Sequence, residues 1–234
     1  KKIAAGANKI VLDVTYGSGA FMKTKEIAQE LADTMVRIGE LAKRETVAIL
    51  TPMAEPLGKN IGNSLEVIEA IEALNGNMEE DVKNVVLLLG ADMLKLAGKG
   101  NNLEENKKRI LESISNGKAL AKFKELIVNQ GGDVSYIDEP KRFKKAEYIL
   151  PVYAEGSGTI NRLDAEEVGE LAVFLGAGRI QKEDTIKPEV GIRLEKKTGD
   201  KVENRDILAY IYANNREKAE QAVNKLRDIY LITK

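Results

Sequence analysis

The stretch KIVLDVTYGSGAFMKT, Lys9 to Thr24, decides the fold predicted for this chain. Its opening run, Lys9–Val14, is mostly apolar and rich in β-branched residues, which is typical of a strand buried on both faces. The run then breaks into Gly17, Ser18 and Gly19. Glycines allow positive φ angles and let a ligand approach bare peptide N–H groups, so this loop is a candidate ligand site.

A helix is predicted after the loop, because apolar residues recur at spacings of three and four. These residues are Ile27, Leu31, Met35, Ile38 and Leu41. Strand, glycine loop and helix in this order indicate an open α/β sheet, which binds its ligand at the carboxyl end of a strand.

The composition is typical of a globular protein and excludes catalysis by cysteine or histidine. The 234 residues include 36 basic and 37 acidic side chains, so the charges nearly cancel. That balance argues against a nucleic-acid groove and against a membrane-surface protein, both of which usually need net positive charge. There is no cysteine and no histidine. Any chemistry would therefore use carboxylates, lysines, hydroxyls, backbone dipoles or a hard cation.

The start of the chain bears on location and completeness. We expect a cytoplasmic protein, because no apolar run is long enough for a membrane span and no signal peptide precedes the first strand. The chain opens on Lys1 and Lys2 and soon enters a predicted buried strand. This pattern favours a start inside a larger protein.

The first half of the chain alternates predicted strands and helices. A second strand is predicted at Thr46–Leu50, followed by a loop rich in proline and glycine. The remaining predictions are a helix capped by Asn63 or Ser64 and stopped at Asn75-Gly76-Asn77, helices around 79–97, 103–116 and 118–129, and a strand at 134–137.

The second half is predicted to be richer in short strands. The run from Gly191 to Ala213 turns on Thr198-Gly199-Asp200, which predicts a hairpin, and helices are predicted at Ala165–Leu175 and Arg216–Arg227. This unit resembles the barrel-sandwich fold of biotinyl and lipoyl carrier domains. Since Ala213-Asn214-Asn215 stands where those domains carry a modified lysine, a structural accessory is favoured over a swinging-arm carrier.

The fold class predicted from these patterns is α/β, with an open mixed sheet flanked by helices, followed by a smaller α+β barrel-sandwich-like unit. Residues 1–147 are predicted to form a central α/β domain, incomplete at its N-terminal side, and residues 148–234 a C-terminal β-rich domain. The basic segment before this boundary is interpreted as a solvated connector rather than a phosphate or nucleic-acid patch.

The residues themselves leave the candidate sites open. The sequence GSGAF lacks the third glycine and the acidic residue of a dinucleotide fingerprint, so a ligand loop and a plain tight turn both remain. In the loop Pro56–Asn63, the carbonyls of Leu57 and Asn60 with the carboxylate of Glu69 would suit a hard cation such as potassium or calcium. A helix-capping loop with a solvated glutamate is the alternative that spacing alone favours.

The motifs as a set resemble the pyrimidine-nucleoside phosphorylase and thymidine phosphorylase family. They are KKIAAGANKIVLDVTYGSGAFMKT, PMAEPLGKNIGNSLEVIEAIEAL, NQGGD, FLGAGR and KKTGDKVENRDILA. The resemblance runs from Lys1 to the end of the chain but covers only the later part of the family pattern. The family's small helical domain, its phosphate loop and the arginine and serine that hold the pyrimidine are not in this sequence.

The resemblance implies roles for five residues. Lys1 matches the lysine that binds the pyrimidine and stabilises it as it leaves, and Phe21 matches a residue that lines the base pocket. Leu57 and Asn60 match positions whose carbonyls bind a cation, and Glu69 matches its carboxylate ligand. Asn60 replaces a small residue, which should matter little for a carbonyl ligand, and Thr15 replaces a common lysine beside the glycine loop.

The activity that the resemblance implies is reversible phosphorolysis of pyrimidine nucleosides (uridine, thymidine, deoxyuridine) to the base and a sugar 1-phosphate, by a pentosyltransferase. Phosphate would be the co-substrate, and the full-length protein is expected to be a homodimer. Residues 1–234 alone are expected to be inactive, since the phosphate loop is missing. The alternatives are a related nucleoside monophosphate phosphorylase and a non-catalytic binding or assembly module.

Overall fold

The computed structural model describes residues 1–234. Its first half is built on two parallel strands, β1 (Lys9–Tyr16) and β2 (Glu45–Pro52), which pair in register from Lys9 opposite Glu45 to Tyr16 opposite Pro52. The helix α1 (Lys25–Leu41) connects them. This crossover confirms the predicted strand, loop and helix, and it brings the carboxyl ends of both strands to one edge.

The apolar face predicted for α1 is partly wrong. The residues that α1 buries are small, chiefly Ala28 and Ala32, and together with Val14 they form a compact cluster. Leu31 and Met35 pack against that cluster, but Leu41 is 78% exposed. Because alanines allow closer approach to the strands than branched side chains do, the helix presents its alanines to the sheet and leaves larger residues outside.

The strand β1 is also less buried than its sequence predicts. Ile10 and Val14 are buried, whereas Val11 and Leu12 keep partial exposure. A strand has both faces covered only where layers pack on each side, and this sheet contains two strands. The prediction of a strand buried on both faces is therefore wrong for this chain.

Four further helices follow β2, at the positions that periodicity predicts. They are α2 (Asn63–Leu74), α3 (Glu80–Leu96), α4 (Leu103–Ser115) and α5 (Lys118–Asn129). The cap predicted for α2 is wrong, because Gly62 occupies the capping position and its N–H donates to the carboxylate of Glu66 (3.0 Å). The side chain of Asn63 instead donates to the carbonyl of Ala177 (2.7 Å).

The strand predicted at 134–137 is wrong. The structure has a short helix there, α6 (Ser135–Asp138), followed by a 3₁₀ turn at Pro140–Arg142. The carboxylate of Asp133 accepts a hydrogen bond from the N–H of Ser135 (2.9 Å), which fixes a helical turn. None of the eight helices is long and apolar enough to cross a membrane.

The second half contains two antiparallel sheets and the larger hydrophobic core. Its elements are β4 (Tyr148–Tyr153), β5 (Gly158–Leu163), α7 (Ala165–Leu175), β6 (Gly191–Leu194), β7 (Lys201–Val202), β8 (Ile207–Ala213), α8 (Arg216–Ile229) and β9 (Tyr230–Thr233). A core of 20 buried residues joins both sheets to α7 and α8. The predicted fold class, α/β followed by a smaller α+β unit, is confirmed.

The hairpin predicted at Thr198–Asp200 is wrong, because the strands on its two sides belong to different sheets. β6 pairs with β8, whereas β7 pairs with β5. The N–H of Gly199 donates to the carbonyl of Ile160, and the N–H of Ile160 donates to the carbonyl of Asp200. Because of these bonds, the chain leaves the sheet of β6 and β8 at this turn and enters the sheet of β5 and β7.

A short strand after β2 ties the two halves together. β3 (Asn60–Ile61) pairs with β6, with Asn60 opposite Arg193 and Ile61 opposite Ile192. The four-stranded sheet therefore has the order β3-β6-β8-β4, and the three-stranded sheet has the order β7-β5-β9. The loop that carries the candidate cation ligands is thus held by a strand from the second half.

Glu189 is a buried carboxylate whose ionisation should stabilise the fold. It is 4% exposed, and its Oε1 accepts hydrogen bonds from the ammonium of Lys144 and from the Asn214 amide (2.6 Å). Burial alone would raise the pKa of Glu189, but these hydrogen bonds outweigh it and hold the pKa below its usual value. Such a group stabilises the fold above its unfolded pKa, and that stabilisation is lost as the pH falls through the folded pKa.

We therefore expect that the free energy of unfolding of Glu189→Gln depends less on pH between pH 7 and pH 3 than that of the wild type. The variant should be less stable than the wild type at pH 7, and the two should converge as the pH falls through the lowered pKa of the wild-type carboxylate, where that carboxylate becomes protonated. Urea denaturation between pH 7 and pH 3 measures this. Glu183→Gln, at an exposed position, is the control and should follow the wild type. Parallel curves for Glu189→Gln and the wild type would contradict the prediction.

Candidate active site

The candidate site lies where β1 and β2 end side by side. The hydroxyl of Thr51 on β2 donates to the carboxylate of Asp13 on β1 (2.5 Å). The N–H of Met53 then donates to the carbonyl of Tyr16 (2.6 Å). Two loops leave this edge together, the glycine loop (residues 17–22) and the cation loop (residues 56–62).

The glycine loop is a tight turn whose N–H groups are mostly used within the protein. The N–H of Gly17 donates to the carbonyl of Met22 (3.0 Å), that of Gly19 to Met53 (2.9 Å), and that of Ala20 to Gly17 (3.1 Å). These three groups cannot hold an anion while they make these bonds. The interpretation of bare peptide N–H groups waiting for a ligand is therefore wrong for them, and the tight turn explains the motif.

Close approach of the next loop explains why Gly17 is a glycine. Its φ is +124°, and a Cβ at this position would lie 2.7 Å from the backbone nitrogen of Ala54. A second contact comes from α7, since the Lys23 ammonium bridges the carbonyl of Ser18 (2.7 Å) and the carboxylate of Glu166 (3.0 Å). The glycine loop is thus tied to the second half of the chain through Lys23 and Glu166. Sequence reasoning missed this contact.

Phe21 lies at the tip of the glycine loop and is 98% exposed. Nothing in the first half or the second half covers its ring, although Ala20 beside it is buried. The loop therefore presents an aromatic side chain at the edge where the strands end.

The cation loop is organised by two carboxylates. The carboxylate of Glu69 on α2 accepts hydrogen bonds from the N–H groups of Lys59 (2.8 Å) and Asn60 (3.2 Å). The carboxylate of Asp81 on α3 accepts one from Gly58 (3.0 Å). Three consecutive N–H groups therefore point at carboxylates. The alternative of a solvated glutamate is wrong, because Glu69 binds the loop with both oxygens.

The oxygens of this loop fit the ligand set expected for a hard cation. No hydrogen bond in the structure ends on the carbonyl oxygen of Leu57. Each oxygen of Glu69 accepts one N–H and can accept a further interaction, since a carboxylate oxygen has two lone pairs. Carbonyl and carboxylate oxygens are the ligands that potassium and calcium prefer. No cluster of three or more acidic side chains is present, so carbonyl oxygens must complete any such site.

Lys197 connects the cation loop to the second half. Its ammonium donates to the carbonyl of Pro56 (2.8 Å) and to the carboxylate of Asp81, and an oxygen of Glu55 lies 3.9 Å away. Burial would raise the pKa of Asp81, but the hydrogen bonds from Lys197 and Gly58 outweigh it and keep the pKa low. Sequence reasoning missed Lys197, because its partners lie far away in the chain.

A cleft of about 510 Å³ borders the cation loop. It is lined by residues 54–57, by the first turns of α3 and by residues 161–163 of the second half. The residues of the glycine loop are not part of its lining. The structure thus places Leu57 at the cleft and Phe21 outside it.

Lys1 begins a helical turn that ends at Gly6. The N–H of Ala5 donates to the carbonyl of Lys1 (2.9 Å), the N–H of Gly6 to Ile3 (3.0 Å), and the N–H of Ala7 to Lys2 (3.1 Å). With Gly6 at φ +82°, these bonds are those of a Schellman motif, which ends helices. No hydrogen bond or ion pair joins the Lys1 ammonium to the glycine loop.

Comparisons with known proteins give a consistent result. Residues 1–120 match the family model "Glycosyl transferase family, a/b domain", and residues 159–233 match "Pyrimidine nucleoside phosphorylase C-terminal domain". The pyrimidine-nucleoside phosphorylase of Bacillus subtilis (strain 168) is 50% identical over 228 residues, which is 97% of this chain and 52% of the relative. That of Staphylococcus haemolyticus is 49% identical over 226 residues, with the same coverage. The chain thus spans about half the length of these relatives.

Proposed function

Because the chain belongs to the pyrimidine-nucleoside phosphorylase family, we propose that the full-length protein is a pentosyltransferase that catalyses the reversible phosphorolysis of pyrimidine nucleosides. The substrates would be uridine, thymidine and deoxyuridine, with phosphate as co-substrate. The observation that carries this proposal is the identity to curated phosphorylases along 97% of the chain. The two family models support a central α/β domain (1–147) and a C-terminal domain (148–234), because they match on either side of residue 148.

In the proposed reaction, phosphate attacks the anomeric carbon of the nucleoside. The new C–O bond forms as the bond between the sugar and the base breaks, and the base leaves with the electron pair. Negative charge then grows on the base oxygens and positive charge on the sugar. A cationic donor fixed near the base lowers the barrier, because its interaction is stronger in the transition state than with the neutral nucleoside.

We assign that donor to Lys1 and the base contact to Phe21. Lys1 follows the resemblance, and the helix-end geometry supports it by holding the backbone at this position. The exposed ring of Phe21 supports a role in base binding, since an aromatic face is a suitable surface for stacking a pyrimidine. Histidine is not needed, because the base departs as a stabilised anion and no nucleophilic triad is involved.

The proposed cation site consists of the carbonyls of Leu57 and Asn60 with the carboxylate of Glu69. When bound, potassium or calcium would supply positive charge that holds the loop carbonyls together. The hydrogen bonds from Lys59 and Asn60 to Glu69 support this role, because they fix the carboxylate beside the loop. A homodimer is the assembly that the resemblance implies, and light scattering of the full-length protein would test it.

The proposed activity can be tested by base release. Full-length protein mixed with uridine or thymidine should release the base, as followed by absorbance, only when phosphate is present. The polypeptide of residues 1–234 alone should show no release above background, because the family's phosphate loop is not in its sequence. Release without phosphate would indicate a hydrolase, and a preference for uridine monophosphate would indicate the related nucleotide enzyme. Robust phosphorolysis by residues 1–234 would contradict the assignment of a missing phosphate loop.

A further inference from the structure

Lys197 is an unusually enclosed lysine that no part of the proposed reaction uses. Its side chain is 17% exposed, although lysines normally keep their ammonium in water. It follows β6 in the second half, yet its partners are Pro56, Glu55 and Asp81 in the first half. One partly buried ammonium therefore lies among one carbonyl and two carboxylates beside the cation loop.

Asp81 links Lys197 to the backbone of the cation loop. The same oxygen of Asp81 that binds the ammonium also accepts the N–H of Gly58 (3.0 Å). No peptide bond in the chain is cis, and in a trans peptide the N–H and the preceding C=O point in opposite directions. The bond from Gly58 to Asp81 thus turns the carbonyl of Leu57 away from Asp81. This carbonyl is the one that accepts no hydrogen bond.

We propose that Lys197 is a positioning residue for the cation loop, which fixes the Leu57 carbonyl in the orientation that binds the cation. It acts by holding the carboxylate of Asp81 and the carbonyl of Pro56 at the same time. The inference rests on the proposed cation site and adds a residue that the site's own ligands do not include.

Loss of the ammonium should loosen the loop for an electrostatic reason. Without Lys197, the carboxylates of Asp81 and Glu55 would face each other with no cation between them, and the carbonyl of Pro56 would lose its donor. Like charges in a partly buried place repel, so Asp81 would move or become protonated and hold Gly58 less firmly. The peptide between Leu57 and Gly58 could then rotate. Residues that orient metal ligands from outside typically change metal affinity by about 10-fold to 100-fold when removed.

The test is a cation titration of the full-length protein, read by thermal unfolding. We expect KCl to raise the Tm of the wild type relative to choline chloride at equal ionic strength. In Lys197→Met, the KCl concentration that gives half of this effect should rise by about tenfold. A parallel titration with CaCl₂ covers the other candidate cation. A purely structural role would lower the Tm equally in potassium and in choline and leave the half-effect concentration unchanged.

Lys196→Met is the matched control. It removes the same charge from the neighbouring position, and the ammonium of Lys196 makes no hydrogen bond or ion pair. Its half-effect concentration should stay within about twofold of the wild type. Asp81→Asn is a second variant in case Lys197→Met does not fold. It keeps the shape of the side chain but removes its charge, so it should weaken the cation response in the same direction.

Two results would overturn the inference. The first is an unchanged cation midpoint in folded Lys197→Met or in Asp81→Asn. The second is a wild type that responds to neither potassium nor calcium, which would also remove the cation site. Phosphate-dependent base release, measured on the same preparation, shows separately whether the proposed reaction stands.

Discussion

Lys1→Ala in the full-length protein is expected to lower kcat/KM for uridine phosphorolysis by about 10²-fold to 10³-fold, the usual cost of losing one donor to a developing anion. The physical reason is that the ammonium meets a neutral carbonyl in the nucleoside but an oxygen carrying negative charge in the transition state. The larger part of the loss should therefore appear in kcat rather than in KM. Initial rates of base release at saturating phosphate measure both constants.

Lys2→Ala is the control for this prediction. Lys2 carries the same charge at the next position, and its contribution to the helical turn is a backbone carbonyl, which the substitution keeps. Its kcat/KM should stay within about twofold of the wild type. Equal losses in the two variants would show that general positive charge matters and not Lys1 itself. An unchanged Lys1→Ala variant would remove Lys1 from the site.

Gly17→Ala is expected to cost about 2–5 kcal/mol of the free energy of unfolding. A positive φ costs a residue with a Cβ about 1–2 kcal/mol, and forcing extra atoms into a packed place costs about 1–3 kcal/mol more. Both apply to Gly17, because its φ is +124° and the new Cβ would lie 2.7 Å from the nitrogen of Ala54. Urea denaturation of the full-length protein measures the loss.

Gly6→Ala separates the two causes. Gly6 also has a positive φ, +82°, but no atom lies within 4 Å of the place where its Cβ would be. This variant should lose only about 1–2 kcal/mol. Equal losses of unfolding free energy in the two variants would mean that the backbone at Met53 and Ala54 can move to accommodate the new Cβ without destabilising the fold. That result would contradict the close approach as the reason for glycine at position 17.

Several elements were predictable because their signals are local. The run of β-branched residues gives β2 (Glu45–Pro52), and helical periodicity gives α3, α4 and α5 within a residue or two at each end. The helix α7 begins after Asp164, whose side chain accepts the N–H groups of Glu166 and Glu167, and it ends at Gly176. Such caps depend on residues within one turn, so a sequence window contains all the information.

The failures share a different physical origin. Val134 and Ile137 have the residue types of a strand, but no strand is available to pair with them, and Asp133 favours a helical turn. The Thr198–Asp200 turn looks local, yet its hydrogen bonds go to Ile160 in another sheet. In both places the outcome depends on which backbone groups are free to pair, and the residue pattern does not contain this.

In the candidate site as well, contacts between residues close in the chain were predictable and contacts between distant residues were not. The motif around Glu69 identified a residue that binds the cation loop, because the loop and the helix are close in the chain. The glycine loop was misread in part, because the groups that use its N–H donors include the carbonyl of Met53, which lies just after the neighbouring strand β2. Lys197 was missed altogether.

The sequence by itself therefore determined the order of strand, glycine loop, helix and second strand, the order of the helices and the family motifs, since each depends on residues near one another or on a fixed spacing. Only the tertiary structure decided that Asp81 joins Glu69 in holding the cation loop, which side of α1 meets the sheet, and that a lysine from the second half is partly buried beside Asp81. The reason is that burial and charge pairing are set by neighbours distant in the chain, and folding alone brings those neighbours together.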